Sequence, residues 1–368
     1  MRSTTSSSTS AVSPQPATPP LKGRGTTSRI QGRFETWARE PNPQPSPDDE
    51  PAPKPITIVA SHHAKSAISR NDSPDIPFEQ SINPYMGCEH GCVYCYARPS
   101  HAYLGLSPGL DFETRLYAKP NLPEVLRREL AAPGYTCKPI TIGGNTDPYQ
   151  PIEREQRITR QVIEVLAEHR HPFSIITKNA LIERDIDLMA PMAQHRLVRA
   201  YISITNWDTE LARKLEPRAA APWRRMQAIE RLSSAGIPVG VLVAPIIPFV
   251  TDCYIEEILE RAAQAGATSA GYVLLRLPHE VGPLFKDWLD QHFPLKTKHV
   301  MSLMEQLGGG KQYDARWRVR QTGSGPFADL IAQRFRLACR RFGLATDHPP
   351  HDVSRFEIPG RSVQLSLL

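Results

Sequence analysis

Residues 87–98 read Gly87-Cys88-Glu89-His90-Gly91-Cys92-Val93-Tyr94-Cys95-Tyr96-Ala97-Arg98. Three cysteines fall within eight residues, spaced C-x3-C-x2-C, directly after an apolar run at 81–86 that reads as a strand. A loop this short at the C-terminal end of a strand can aim three thiolates at one point, and Gly87 and Gly91 let the backbone turn tightly. Soft thiolates select iron–sulfur clusters or zinc. A four-iron cluster usually takes four cysteines. Here Cys137, Cys253 and Cys339 are remote in sequence, so one iron would stay open to a ligand from outside the protein. The competing set is a structural zinc held by Cys88, Cys92, Cys95 and His90, which would make the chain a zinc-stabilised nucleic-acid-binding protein.

Outward from this loop, short apolar strands alternate with amphipathic helices. Further strands are expected at 139–143, 173–177, 198–205, 239–244 and 271–275. Between them lie helical stripes: Ile158, Val162, Val165 and Leu166; Trp223, Met226, Ile229 and Leu232, stopped by Gly236; Ile255, Ile258, Leu259 and Ala262, with Asp252 or Thr251 as N-cap; and Leu284, Phe285, Trp288 and Leu289. Six strands, each followed by a helix, imply an α/β fold with a parallel sheet. Six units are two short of a closed barrel, so periodicity leaves a partial barrel and a doubly wound sheet both open. Either architecture puts chemistry at the C-terminal strand ends. The second strand runs into Gly143-Gly144-Asn145-Thr146-Asp147-Pro148, where paired glycines let a ligand lie against the backbone.

The cysteine spacing, with an aromatic residue just before the third cysteine, resembles the radical S-adenosylmethionine (SAM) superfamily. The resemblance implies a partial (β/α)6 TIM-like barrel and a 4Fe–4S cluster on Cys88, Cys92 and Cys95. It implies SAM chelated at the open iron, an electron donor of flavodoxin or ferredoxin type, and reductive cleavage of SAM to methionine and a 5′-deoxyadenosyl radical. Gly143, Gly144 and Asn145 then resemble the turn that receives the SAM amino group. Lys178, after the third strand, would pair with the methionine carboxylate, and Ser203, near the end of the fourth, would contact ribose or carboxylate. Within the superfamily, residues 81–101, 146–151 and 22–35 resemble a bacterial group related to spore photoproduct lyase, over about residues 22–345. That lyase reverses a thymine dimer using a cysteine in the turn after strand two. Here the turn reads Asn145-Thr146-Asp147, so a lyase-like reaction is in doubt while cluster and cofactor chemistry stand. Cys137 precedes strand two, and Cys253 follows strand five on the cluster's face.

Composition bounds the rest. A chain of 368 residues, 40% hydrophobic, holds a real core, and no run of about 18 apolar residues reads as a membrane span. Six cysteines are too few for a disulfide scaffold and point to a reducing compartment, the cytoplasm. Residues 1–55, with eleven prolines and no apolar periodicity, read as a disordered tail. Residues 56–80 lead in to the barrel at 81–295, followed by a basic extension at 296–345 and a mobile tail at 346–368. Residues 311–345 carry eight basic side chains against Asp314 and Asp329, matching the whole chain's net charge of +6 and suggesting an anionic partner such as nucleic acid. Tyr313, Trp317, Phe327, Phe335 and Phe342 interleave with them. Phe327, Ile331, Phe335, Ala338 and Phe342 form one helical stripe, which reads as core and leaves Arg336 and Arg340 as the better phosphate contacts. The last five residues, Gln364-Leu365-Ser366-Leu367-Leu368, resemble the short peptide with which bacterial repair and replication proteins bind the sliding clamp, with Leu368 where Phe is common.

Overall fold

The computed structural model describes residues 21–35 and 55–360. Six parallel strands run in sequence order: β1 (Gln80–Ile82), β2 (Ile140–Ile142), β3 (Phe173–Thr177), β4 (Val198–Ser203), β5 (Val239–Ile246) and β6 (Ser269–Leu274). Strand Ser69–Arg70 adds antiparallel to β1, and the sheet stays open between that edge and β6. This is the partial (β/α)6 barrel, not a closed one. Its strands are buried most fully on the inward-facing positions; Ile140, Ile142, Phe173, Ile175, Ala200 and Val241 have no exposed surface, while β3 and β4 alternate these with half-buried residues.

The helices between and after the strands are α1 (Leu122–Leu130), α2 (Ile158–Glu168), α3 (Ile186–Ala193), α4 (Pro222–Ser234), α5 (Ile255–Gln264), α6 (Val281–His292), α7 (Pro294–Leu307) and α8 (Pro326–Phe342). Several lay an apolar stripe toward the sheet, while α7 packs on α6 and α8 on α5. On α2, Val162, Ile163, Val165 and Leu166 are wholly buried, each worth about 1.5–3 kcal/mol of removed apolar surface. Trp223 departs from its expected stripe: it is half exposed at the first turn of α4. Neither Thr251 nor Asp252 caps α5, because a one-turn 3-10 segment, Asp252–Tyr254, intervenes. Thr251 Oγ1 instead accepts the Ile247 N–H at 2.8 Å.

Three expectations are corrected by long-range contacts. The strand at 81–86 is two strands, because Asn83-Pro84 interrupts it and Pro84 has no N–H to give a ladder. Tyr85–Met86 leaves the barrel and pairs antiparallel with Arg115–Ala118, which also carries the parallel strand Ile58–Ser61. Residues 21–35, expected within a disordered tail, lie as a strap across the back of the cysteine loop. Residues 346–360, expected to be mobile, cross the N-terminal strand ends. There the Glu357 N–H meets His169 O at 3.0 Å, His351 Nε2 lies 3.0 Å from Ser174 Oγ, and Phe356 packs on Tyr135 and His171. The peptide at 364–368 lies outside the described residues. No described helix is long and apolar enough to cross a membrane.

Candidate functional site

Breaking the first strand at Pro84 has a purpose at the next turn: the small outer sheet, not the barrel, delivers the cysteine loop to the C-terminal strand ends. The loop is fixed at many points. Cys88 N–H donates to Phe112 O at 2.9 Å, Val93 N–H to Leu215 O at 3.1 Å and Cys95 N–H to Cys92 O at 3.2 Å. Gln150 clasps it from the turn after β2, its Oε1 accepting the Glu89 N–H at 2.9 Å and its Nε2 donating to Gly87 O at 3.1 Å.

Beneath the loop Arg98 is wholly buried. Its Nε donates to Cys92 O at 2.9 Å, its guanidinium reaches Pro108 O and Gly109 O, and Nη2 meets Glu113 Oε1 at 2.5 Å. Glu113, equally buried, also takes the Gly25 N–H at 2.9 Å and both Thr26 donors at 3.1 Å. The strap at 21–35 therefore closes the loop from behind. Only glycine fits at position 25, since a Cβ there would stand 1.7 Å from Gly91 O. Arg29 pairs with Asp111 at 2.9 Å and Arg33 with Glu280 at 2.9 Å.

The three cysteines are free thiols, with Cys88 and Cys92 each 7% exposed and Cys95 partly buried. Burial pushes all three thiols up; nearby negative groups add to this at Cys88 and Cys92, while the Lys178 ammonium opposes it at Cys92 and Cys95. Such thiols become thiolates when a metal replaces the proton. Among the described residues, no three His, Cys, Asp or Glu side chains converge on a single ion. A tetrahedral zinc with bonds of about 2.3 Å would need its sulfurs about 3.8 Å apart. His90 does not complete a zinc set, because it is turned away: Nε2 lies 3.2 Å from Asn179 Nδ2, and Nδ1 lies 3.3 Å from Asp147 Oδ2, off the line of a hydrogen bond. Three thiols, two buried and one partly buried, with no fourth protein ligand among the described residues fit a cluster that leaves one iron open.

The turn after β2 faces the same end. Gly143 has φ +91° and donates to Ile82 O at 3.2 Å; a Cβ there would stand 2.6 Å from Ile176 O, so this glycine serves close strand packing. Gly144 has ordinary space beside it, 3.4 Å from Phe78, and its carbonyl accepts the Tyr96 hydroxyl. Asn145 is exposed, and its N–H is held by Asn83 Oδ1 at 2.8 Å. Asp147 locks the turn to β3, accepting the Thr177 hydroxyl at 2.6 Å and the Lys178 N–H at 2.7 Å. Burial works against its charge, but His90 and these bonds outweigh it and hold the carboxyl at about 2.

Lys178 thus stands at the end of β3 close to Cys92 and Cys95, and its ammonium makes no ion pair within 4.0 Å among the described residues. Ser203, at the end of β4, is buried and its carbonyl accepts from Arg225 at 2.9 Å. Sequence reading misses the buried group behind it. Glu216 takes the Tyr94 hydroxyl, the Thr205 hydroxyl at 2.8 Å and the Arg225 guanidinium, tying the cysteine loop to β4. Burial would raise its pKa, yet Arg225 and Lys178 hold it at about 2. It also misses Asn206, 1% exposed in the loop after β4, whose side-chain oxygen and nitrogen both lack a partner. A buried amide left bare costs about 1–3 kcal/mol, which suits a position that a polar ligand completes. The signal available in sequence is its place at a C-terminal strand end. Cys137 lies in the segment that precedes β2, and Cys253 is exposed after β5; neither is in the turn after β2.

The comparisons agree with this geometry. The Radical SAM superfamily model matches residues 82–262. An uncharacterized protein of Mycobacterium tuberculosis is 33% identical over 289 residues, covering 78% of this chain and 81% of the relative. An uncharacterized protein of Methanocaldococcus jannaschii is 27% identical over 231 residues, 63% of this chain and 82% of that protein. Among solved structures, spore photoproduct lyase complexed with dinucleoside spore photoproduct aligns over 79% of this chain and 82% of the lyase, with a TM-score of 0.57 at 16% identity, a likeness of fold. An open six-stranded barrel carrying three cysteines on one buried loop, in the span that the family model covers, makes this chain a member of the radical SAM superfamily.

Proposed function

We propose that the protein reductively cleaves SAM at a 4Fe–4S cluster held by Cys88, Cys92 and Cys95 and directs the resulting radical at nucleic acid. The observation that carries the first half is the loop: three free thiols on one turn, Cys88 and Cys92 buried and Cys95 partly so, with His90 engaged elsewhere. When bound, a cluster with SAM on its open iron supplies one electron to the sulfonium and releases methionine and a 5′-deoxyadenosyl radical. The chain's own residues do the holding. Arg98 and Gln150 fix the loop backbone, and the strap at 21–35 keeps water from its rear. Lys178 offers an ammonium to a carboxylate, the turn at 143–145 faces the same end with Gly144 at ordinary contact distance from Phe78, and Ser203 and Asn206 offer polar groups to an amine or hydroxyls. The surplus of positive charge at 311–345 supports nucleic acid as the substrate class. Dimer reversal is not carried over from the lyase, because the turn at 143–148 has no cysteine. An electron donor of flavodoxin or ferredoxin type and a cytoplasmic location complete the reading, with the sliding clamp as a partner through 364–368.

Anaerobic purification with iron and sulfide analysis tests the core of it. The expected result is an oxygen-sensitive four-iron cluster, and methionine with 5′-deoxyadenosine once reductant and SAM are added. Cys92→Ala should abolish both products. Zinc without acid-labile sulfide would sink the proposal.

A further inference from the structure

The open sheet has two edges, β6 and Ser69–Arg70, and the segment at 311–325 joins them. On one side the Leu274 N–H, at the end of β6, donates to Gln321 O at 2.8 Å. On the other, Arg320 pairs with Asp75 at 2.6 Å and reaches Ser73 Oγ at 2.9 Å, in the turn between Ser69–Arg70 and β1. The segment thus spans the gap between the two sheet edges. Arg276 links it to the cysteine loop: it lines a shallow hollow with Tyr313, Asp314 and Arg320, and its guanidinium sits 4.4 Å over the ring of Tyr96, the residue after Cys95.

What this bridge shows to solvent is unusual. Trp317 is 55% exposed. Lys311 and Arg318 are exposed, and their side chains make no ion pair within 4.0 Å among the described residues, although Lys311 lies within electrostatic reach of Asp314. By contrast Arg334 is tied to Glu256 at 2.7 Å. Arg336 and Arg340, the better phosphate contacts on sequence grounds, lie on α8, which packs on α5 along the barrel's flank and ends at the N-terminal end of β6, where Ala345 meets Ser269. They stand off from the cysteine loop, and the bridge stands beside it.

We infer that residues 311–320 form a docking surface for single-stranded nucleic acid, with one base stacked on Trp317 and the adjoining phosphates on Lys311 and Arg318. The inference rests on the reading of nucleic acid as substrate class. A lone exposed indole between cations suits an unpaired base, whose ring face is free, whereas a duplex hides its base faces in the stack. Such a strand would lie with Arg276 between it and the mouth.

The test uses the full chain, prepared anaerobically, and a fluorescein-labelled twelve-residue oligothymidylate followed by anisotropy. Wild-type protein should bind at low salt. Trp317→Ala should weaken binding about 5- to 150-fold, the range of one base–aromatic stack, and Trp317→Phe should restore most of it. Lys311→Glu with Arg318→Glu should flatten the log–log salt slope by about 1.4, at about 0.7 per phosphate on a single strand. Arg336→Glu with Arg340→Glu should leave both unchanged, and all variants should keep the wild-type circular dichroism. Binding by Trp317→Ala equal to wild type overturns the surface while leaving nucleic acid as substrate. Equal displacement of the oligonucleotide by heparin from wild type and Trp317→Ala also overturns it, marking a polyanion surface without stacking. A wild-type protein that binds neither this oligonucleotide nor its RNA counterpart removes the substrate reading beneath the surface, with SAM cleavage untouched.

Discussion

Glu113→Ala should unfold the strap and empty the cluster site together. The carboxylate is wholly buried and serves four donors: Arg98 at 2.5 Å, the Gly25 N–H at 2.9 Å and the two Thr26 donors at 3.1 Å. Its removal strands the Arg98 guanidinium in the interior, and breaking one side of a buried pair costs about 3–5 kcal/mol. The carbonyls of Cys92, Pro108 and Gly109 still accept from Arg98, which places the cost toward the lower figure. Glu113→Gln keeps the shape and loses the charge, at about 1.5–3 kcal/mol for a hydrogen bond to an ionised group. Because Arg98 Nε holds the Cys92 carbonyl, loosening it should also release the ligand loop. Urea unfolding of the cluster-free protein reads the stability, and iron and sulfide per chain after anaerobic reconstitution read the loop. An alanine variant within about 1 kcal/mol of wild type, with full iron, would refute the coupling of strap to loop.

Other outcomes follow from single side chains. Lys178→Ala should weaken SAM binding about ten- to a hundred-fold, since a charge-assisted bond in a dry site is worth roughly 1.5–3 kcal/mol, while iron content stays unchanged; equal affinity by equilibrium dialysis would remove Lys178 from the site. Burial holds His171 at about 4, with His169 and His351 adding to the effect and Tyr135 accepting or donating at 2.7 Å. A base depressed from 6.5 to about 4 contributes stability that is complete above pH 6.5 and lost as pH falls toward 4, about 3 kcal/mol in all. Amide protection factors at 346–360, taken relative to the intrinsic exchange rate at each pH, should therefore fall between pH 6.5 and 4 in wild type, and His171→Phe should lose that dependence.

Legibility in the sequence followed the range of the interactions. The strand at 173–177 is read with its true bounds because its apolar run is closed by Pro172 before and Lys178 after. The cysteine loop and its ligands are equally local. The strand at 81–86 is misread because hydrophobicity continues across Pro84 into a different sheet. The strap at 21–35 looks like a polar tail in its own composition; what orders it are Glu113, Asp111 and Glu280, 82 to 247 residues away. Arg98, Glu113 and Glu216 escape for a related reason. A charge reads as surface until its buried partner is seen.

The strap also sets an order of events. Arg33 meets Glu280 across 247 residues, so that contact cannot form until the chain has been synthesised through its sixth barrel strand. Its contacts with Glu113 close a loop of 88 residues, an entropic cost met only once α1 and the sheets give it a surface to lie on. The cysteine loop has long-range anchors of its own, Tyr94 meeting Glu216 across 122 residues, so the Arg33 end of the strap is the last of these contacts to become available. Until then the strap is held by its contacts with Asp111 and Glu113. The segment that covers the finished site is thus completed only when the whole barrel has been made.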